Sequence, residues 1–100
     1  MYNDFFSKFK KVLITGGYGF IGSCLIRNLL KNTNCKILNL DKLNYASNKN
    51  SIDKLFSEYE NLDPGRFIFE NTDLIEYKKV KTIIEKFKPD IIFNLAAETH

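Results

Sequence analysis

Val12-Leu13-Ile14-Thr15-Gly16-Gly17-Tyr18-Gly19-Phe20-Ile21-Gly22 is the stretch on which the reading of this 100-residue chain turns. A short apolar run leads into three glycines at three-residue spacing, Gly16, Gly19 and Gly22, and a helical pattern opens behind them. Strand, glycine turn and helix N-terminus, in that order, are what a dinucleotide-binding turn requires. Glycine permits φ > 0 and lets a pyrophosphate come closer than a Cβ would allow. The helix behind it aims unpaired N–H groups and the positive end of its dipole at the phosphates. Three spaced glycines alone also suit a ligand-free turn, so the surrounding chain has to decide.

Lys11 to Thr15 is read as the first strand, its continuous Val12-Leu13-Ile14 run suiting a central parallel strand covered on both faces. Phe20 to about Lys31 follows as a helix, with Ile21, Leu25 and Leu29 at four-residue spacing, and Cys24 beside them, as its buried stripe. Ile37 to Leu40 is the second strand, and Asp41 stands at its carboxyl end, nineteen positions after Gly22. That separation suits the acid that accepts hydrogen bonds from both adenosine ribose hydroxyls and repels a 2′-phosphate, which favours NAD over NADP. Lys42 beside it leaves some tolerance for a phosphate open. Tyr18, between two glycines, is expected to point outward.

A polar loop from Asn44 to Asn50 leads to a second helix with Ile52, Leu55, Phe56 and Tyr59 on one face. Asp63-Pro64-Gly65 is a turn, and Arg66 to Glu70 the third strand. Asp73 is a candidate cap for the next helix and also a candidate to face the adenine. Tyr77, Val80, Ile83, Ile84 and Phe87 form the apolar face of a third helix, and Pro89-Asp90 ends it. Ile91 to Leu95 is the fourth strand, running into Ala96 and Ala97, small enough for close approach to a ligand or to the first helix. Right-handed crossovers then give a Rossmann-type α/β fold, its parallel sheet in the order 3-2-1-4. Residues 1–10 are set apart as a leader in which Phe5, Phe6 and Phe9 either pack on the domain or fray. Residues 11–100 form the half-domain.

The bulk composition excludes several classes. With 44% hydrophobic and 27% charged residues the chain is neither disordered nor membrane-spanning, and no apolar run approaches a membrane span. A net charge of +3 from scattered lysines carries no basic stripe with interleaved aromatics, so nucleic acid is a poor partner. The N-terminus lacks the apolar core of a signal peptide. Cys24 and Cys35 have neither metal-ligand nor disulfide spacing and read as reduced thiols of a cytoplasmic protein.

Three segments, TGGYGFIGS, DKLNYASN from Asp41 and the terminal NLAAETH, together resemble the extended short-chain dehydrogenase/reductase superfamily. Within it they are most similar to the dTDP-glucose 4,6-dehydratases, which read D-K-L-T-Y-A-G-N and L-A-A-E-S-H at the latter two. The resemblance implies that Phe20 and Ile21 lie at the pyrophosphate and that Asp41, Lys42, Leu43 and Asn44 surround the ribose. It puts Asp73 and Leu74 at the adenine, and Leu95, Ala96, Ala97, Glu98 and Thr99 along the rest of the NAD. Thr99, where the family has serine, would also meet a nucleotide-sugar substrate. Ser47 replaces a family glycine.

In such enzymes NAD takes a hydride from sugar C4, water leaves across C5 and C6, and the hydride returns to C6. A Tyr-x-x-x-Lys pair supplies the base, and an acid pair assists the elimination. The resemblance places neither of them in this chain, and the match of Tyr45 with Lys49 lies in the ribose loop. The resemblance therefore implies the cofactor-binding N-terminal part of a longer, homodimeric enzyme, truncated after His100 and inactive alone. A 4-epimerase, a UDP-glucose 4,6-dehydratase or a non-catalytic NAD-binding module are the alternatives.

Overall fold

The computed structural model describes residues 8–42 and 49–96. Strand β1 (Lys11–Thr15) leads through the glycine turn into helix α1 (Phe20–Asn32), and β2 (Lys36–Asp41) follows. After it come α2 (Lys49–Glu58), a short 3₁₀ turn (Pro64–Arg66) and β3 (Phe67–Asn71). The described chain ends with α3 (Tyr77–Phe87) and β4 (Ile91–Asn94). All pairings are parallel, in the order β3-β2-β1-β4, with Val12 facing Ile37 on one side and Ile91 on the other.

The alternation of side chains across the strands divides the core in two. Val12, Ile14 and Ile37 face α1 and α2, meeting Ile26, Leu29, Leu30, Ile52 and Leu55. Leu13, Leu38 and Leu40 face the opposite way, onto Phe87, with Ile68, Val80, Ile83 and Ile84 around them. Because β1 is central, Val12, Leu13 and Ile14 are all 0% exposed, as the unbroken apolar run predicts. Each such side chain contributes about 1.5–3 kcal/mol relative to an exposed one. Phe9 packs against the first core, joining the residues before β1 to the domain, whereas Phe5 and Phe6 lie outside the described residues.

Three helix faces differ from the expected ones: in α2, Ile52, Leu55 and Phe56 face the core, but Tyr59 falls past the end of the helix and is exposed. In α1 the buried stripe is Gly22, Ser23, Ile26, Leu29 and Leu30, while Leu25 is half-buried and Ile21 and Cys24 are exposed. Gly22 is the residue that must touch the turn, and this rotates the stripe by one position; Ile21 then projects from the carboxyl end of the sheet. In α3, Val80, Ile83, Ile84 and Phe87 do face the sheet, but Tyr77 in the first turn stands past its end and is exposed. Lys49 and Asn50 belong to α2 rather than to the preceding loop.

The connections at the amino end of the sheet are closed by side chains. Asp63 Oδ1 accepts the Gly65 N–H at 2.9 Å, so the Asp-Pro-Gly turn signal resolves as a capped 3₁₀ turn. Arg66 then spreads its guanidinium over the last carbonyls of α1. It donates to Leu30 O at 3.1 Å, Thr33 O at 2.7 Å and Cys35 O at 2.9 Å, with a longer contact to Leu29 O. A fixed cation at a helix C-terminus satisfies orphan carbonyls and opposes the dipole. Lys88, with φ 54°, closes α3 by donating its N–H to Ile84 O.

Candidate functional site

The glycine turn is fastened to β2 by three consecutive N–H groups. Gly16 N–H donates to Leu40 O at 2.9 Å, Gly17 N–H to Asn39 Oδ1 at 2.8 Å and Tyr18 N–H to Asp41 Oδ2 at 2.7 Å. Asn39, fully buried, has no counterpart in the sequence reading. Its signal was a lone amide inside the otherwise apolar Ile37–Leu40 run, where an unpaired polar group would be costly. Thr15 is similar at the end of β1: its hydroxyl donates to Asn94 Oδ1 at 2.5 Å and accepts the Ala96 N–H at 3.4 Å, tying β1 to the exit of β4.

The three spaced glycines have separate reasons to lack a side chain. Gly16 has φ +73°, and a Cβ there would lie 2.6 Å from Ala96 Cα. At Gly22 a Cβ would lie 2.7 Å from Gly17 Cα, so its absence lets α1 pack on the turn. At Gly19 the backbone is extended, with φ −71°, and a Cβ would meet only Gly16 O, at 3.3 Å. Nothing in the fold there requires glycine, whereas a ligand lying across the backbone would.

Above Gly19 the helix N-terminus is open. The first intrahelical bond is Ser23 N–H to Gly19 O at 2.9 Å, so the N–H groups of Phe20, Ile21 and Gly22 precede the ladder. Gly19 offers no side-chain cap, and no acid occupies the first turn. Donors and dipole are therefore left to an anion. The Phe20 and Ile21 side chains beside them are 84% and 68% exposed.

Asp41 stands at the end of β2 within reach of this turn. Burial raises its carboxyl above the usual value, while hydrogen bonds from the Tyr18 and Lys42 N–H groups oppose that rise. The Lys42 ammonium lies 3.3 Å from Asp73 Oδ2, so its charge is turned toward Asp73. Asp73 does not cap α3. Its Oδ1 accepts the Ile75 N–H at 3.1 Å within the turn after β3, and the N-cap position of α3 is Glu76, three residues later. The Ile75 N–H and then Lys42 hold the Asp73 carboxyl below its usual value.

Tyr18 does not point outward. It is 2% exposed, its ring tilted against Phe69 with centroids 4.9 Å apart and edge-on to Phe67 at 6.2 Å. Burial, then the negative charges of Asp53 and Asp41, pushes its hydroxyl pKa up to about 12. Flanking glycines suggested a solvent-facing tip, but with Gly17 pressed on Asn39 the next side chain turns down onto the face of β3 that α2 covers.

The carboxyl end of the sheet thus brings together Gly16, Gly19, Gly22, Phe20, Ile21, Asp41, Lys42, Asp73, Leu74, Leu95 and Ala96. Leu95 continues β4 by donating its N–H to Thr15 O at 3.0 Å. Leu43, Asn44, Ala97, Glu98 and Thr99 lie outside the described residues, as do Tyr45 and Ser47. Lys49 pairs with Asp53 at 2.6 Å. Among the described residues no three His, Cys, Asp or Glu side chains could hold a metal ion, and no helix is long and apolar enough to cross a membrane.

A glycine turn bonded to an acid-bearing strand, over the switch point of a 3-2-1-4 parallel sheet, defines a dinucleotide-binding fold of the Rossmann class. The chain belongs to the GDP-mannose 4,6 dehydratase family, whose model matches residues 13–100. It is 40% identical over 90 residues to dTDP-glucose 4,6-dehydratase of Salmonella typhimurium and 43% identical over 89 residues to that of Haemophilus influenzae. These alignments cover 90% and 89% of the chain but 23% and 25% of the two relatives, so the chain spans about a quarter of their length. Among solved structures it is similar to dTDP-glucose 4,6-dehydratase of Bacillus anthracis in complex with NAD, with a TM-score of 0.70 and 28% identity. That match covers 89% of this chain and 27% of the other.

Proposed function

We propose that this chain is the NAD-binding N-terminal part of a dTDP-glucose 4,6-dehydratase, a lyase that dehydrates a nucleotide sugar. The observation that carries the cofactor reading is the pairing of an open, glycine-lined helix N-terminus with the Asp41 carboxylate. The turn accepts a pyrophosphate over Gly19, with the N–H groups of Phe20, Ile21 and Gly22 as donors. Asp41 accepts the ribose hydroxyls, and its charge, with Lys42 drawn off by Asp73, opposes a 2′-phosphate. Lys42, Leu43 and Asn44 complete the ribose site, Asp73 and Leu74 border the adenine, and Leu95 to Thr99 line the remainder, with Thr99 also meeting the sugar. Bound NAD supplies the acceptor for the sugar C4 hydride and its return to C6.

Similarity to the dTDP-glucose 4,6-dehydratases over nine-tenths of the chain supports the choice of substrate. The cofactor reading is independent of that choice. A UDP-glucuronic acid 4-epimerase of Bacillus cereus with bound NAD is also similar, at 28% identity and a TM-score of 0.63. A homodimeric, cytoplasmic whole protein is the further expectation. Proton abstraction needs a base in hydrogen-bond reach of the sugar hydroxyl.

Calorimetric titration of the purified chain with NAD and NADP tests the reading. Saturable NAD binding, weaker for NADP and weakened by Asp41→Ala, is expected. Equal affinity for both cofactors would remove Asp41 from the ribose site. Keto-sugar product formed by the chain alone would overturn the expectation that it is inactive by itself.

A further inference from the structure

Tyr18 is a large aromatic residue between two glycines, and both its backbone and its ring are engaged. Its N–H holds Asp41 Oδ2 at 2.7 Å, and its ring packs on Phe69 and Phe67 of β3. The residues on either side are glycines, held through the Gly17 N–H to Asn39 Oδ1 and the Gly19 N–H to Gly16 O but with no side chain to brace the turn. The ring is therefore the one side chain within Gly16–Gly19 that fixes the turn against the sheet. We propose that Tyr18 is a positioning residue for cofactor selection: its buried ring sets the place of its own N–H, which orients the Asp41 carboxylate toward the ribose diol.

Acceptor capacity agrees with this. A carboxylate offers about four lone-pair sites. The Tyr18 and Lys42 N–H groups hydrogen-bond to Asp41, which leaves two sites for two vicinal hydroxyls. Both protein partners are neutral backbone groups, so the charge that opposes a 2′-phosphate is kept. If the ring were lost, the turn would gain freedom and the carboxylate would rotate, weakening its grip on the diol more than its contact with the pyrophosphate. Discrimination between NAD and NADP would fall more than binding as such.

The inference rests on the NAD reading of this site. It is tested by a double-mutant cycle on the purified chain, with Tyr18→Ala and Asp41→Ala, titrated with NAD and NADP by calorimetry. Thermal melting of each variant checks that it folds. Tyr18→Ala is expected to weaken NAD binding about tenfold, the equivalent of one charge-assisted hydrogen bond, and NADP binding by less than about threefold. In the Asp41→Ala background the same substitution should cost less than about twofold, because its path of action is gone. Tyr18→Phe, which keeps the ring, should restore most of the affinity. Tyr18→Leu, which keeps apolar volume without the ring, replaces Tyr18→Ala in the cycle should the latter not fold. Additive effects of the two substitutions, or equal losses for NAD and NADP, would overturn the positioning role and leave the cofactor reading standing. Absence of saturable NAD binding to the unsubstituted chain would overturn both.

Discussion

Alanine substitutions at Gly19 and Gly16 separate what the turn does for a ligand from what it does for the fold. At Gly19 the backbone, φ −71° and ψ 175°, is open to any residue, and the added Cβ has a single neighbour, Gly16 O at 3.3 Å. Removing the glycine restricts the unfolded chain, a gain of about 0.4–1 kcal/mol, against one tight contact. Stability should therefore stay within about 1 kcal/mol of the starting chain. Gly16, with φ +73°, would incur about 1–2 kcal/mol for a left-handed alanine. The Cβ held 2.6 Å from Ala96 Cα adds about 1–3 kcal/mol of overpacking. Gly16→Ala should then lose about 3 kcal/mol, or roughly 10–20 °C in Tm for a domain of this size. Binding should order the variants differently. A methyl at Gly19 stands where the pyrophosphate must approach, and loss of one charge-assisted bond there weakens NAD about 10- to 100-fold. Urea or thermal denaturation beside calorimetric NAD titration reads both. Full NAD affinity in a well-folded Gly19→Ala chain would refute this reasoning, because the open space over Gly19 would then serve no ligand.

Arg66→Ala should destabilise the chain by about 1.5–3 kcal/mol by releasing the α1 carbonyls, and Arg66→Lys should rescue little, since an ammonium lacks the fork. NAD affinity should not change, because Arg66 is at the far end of the sheet; denaturation and titration together check both. Burial holds the Asp41 carboxyl above its ordinary 3.8, so the folded chain keeps a proton that the unfolded chain releases. Stability from this group thus declines as pH rises from 3.8 through the raised value, while NAD affinity rises as the carboxylate ionises. Titrations across about pH 4–7 should show that rise, and Asp41→Asn should flatten it. Asp90 behaves oppositely. Its Oδ2 accepts the Lys11 and Lys10 N–H groups, at 2.8 and 2.7 Å, which lower its pKa. Its contribution is present above the ordinary 3.8 and lost as pH falls through the depressed value. Asp90→Asn should lower Tm at neutral pH and lessen acid sensitivity. Asp73→Asn frees the Lys42 ammonium and should raise NADP affinity severalfold in the same titrations.

Strand order, the glycine turn and the acid after β2 were legible in the sequence because each is set by local chemistry. Apolar runs and helical periods specify elements, and right-handed crossovers together with the dinucleotide-type glycine turn then point to the order 3-2-1-4. Asp41 could be found because strand, turn and helix lengths fix its separation from Gly22. The directions of individual side chains were not legible where several elements meet. Tyr18 in isolation is a polar aromatic between glycines. Only the packing of α2 over the aromatics of β3 makes the apolar surroundings that draw it inward. The period of α1 allowed Ile21, Leu25 and Leu29 as its inner face. The contact of Gly22 with the turn, a distance between residues that are not neighbours on the helix, turned that face toward Ile26 and Leu30. Asp73 could cap a helix or serve a loop by its residue type, and the start of α3 at Tyr77 made it a loop acid paired with Lys42. What the sequence alone determined is which elements exist and which residues carry charge or lack a Cβ. Which of those residues share a site, and which way each one faces, depended on close packing across the sheet, where one contact excludes the alternatives that local propensity leaves equal.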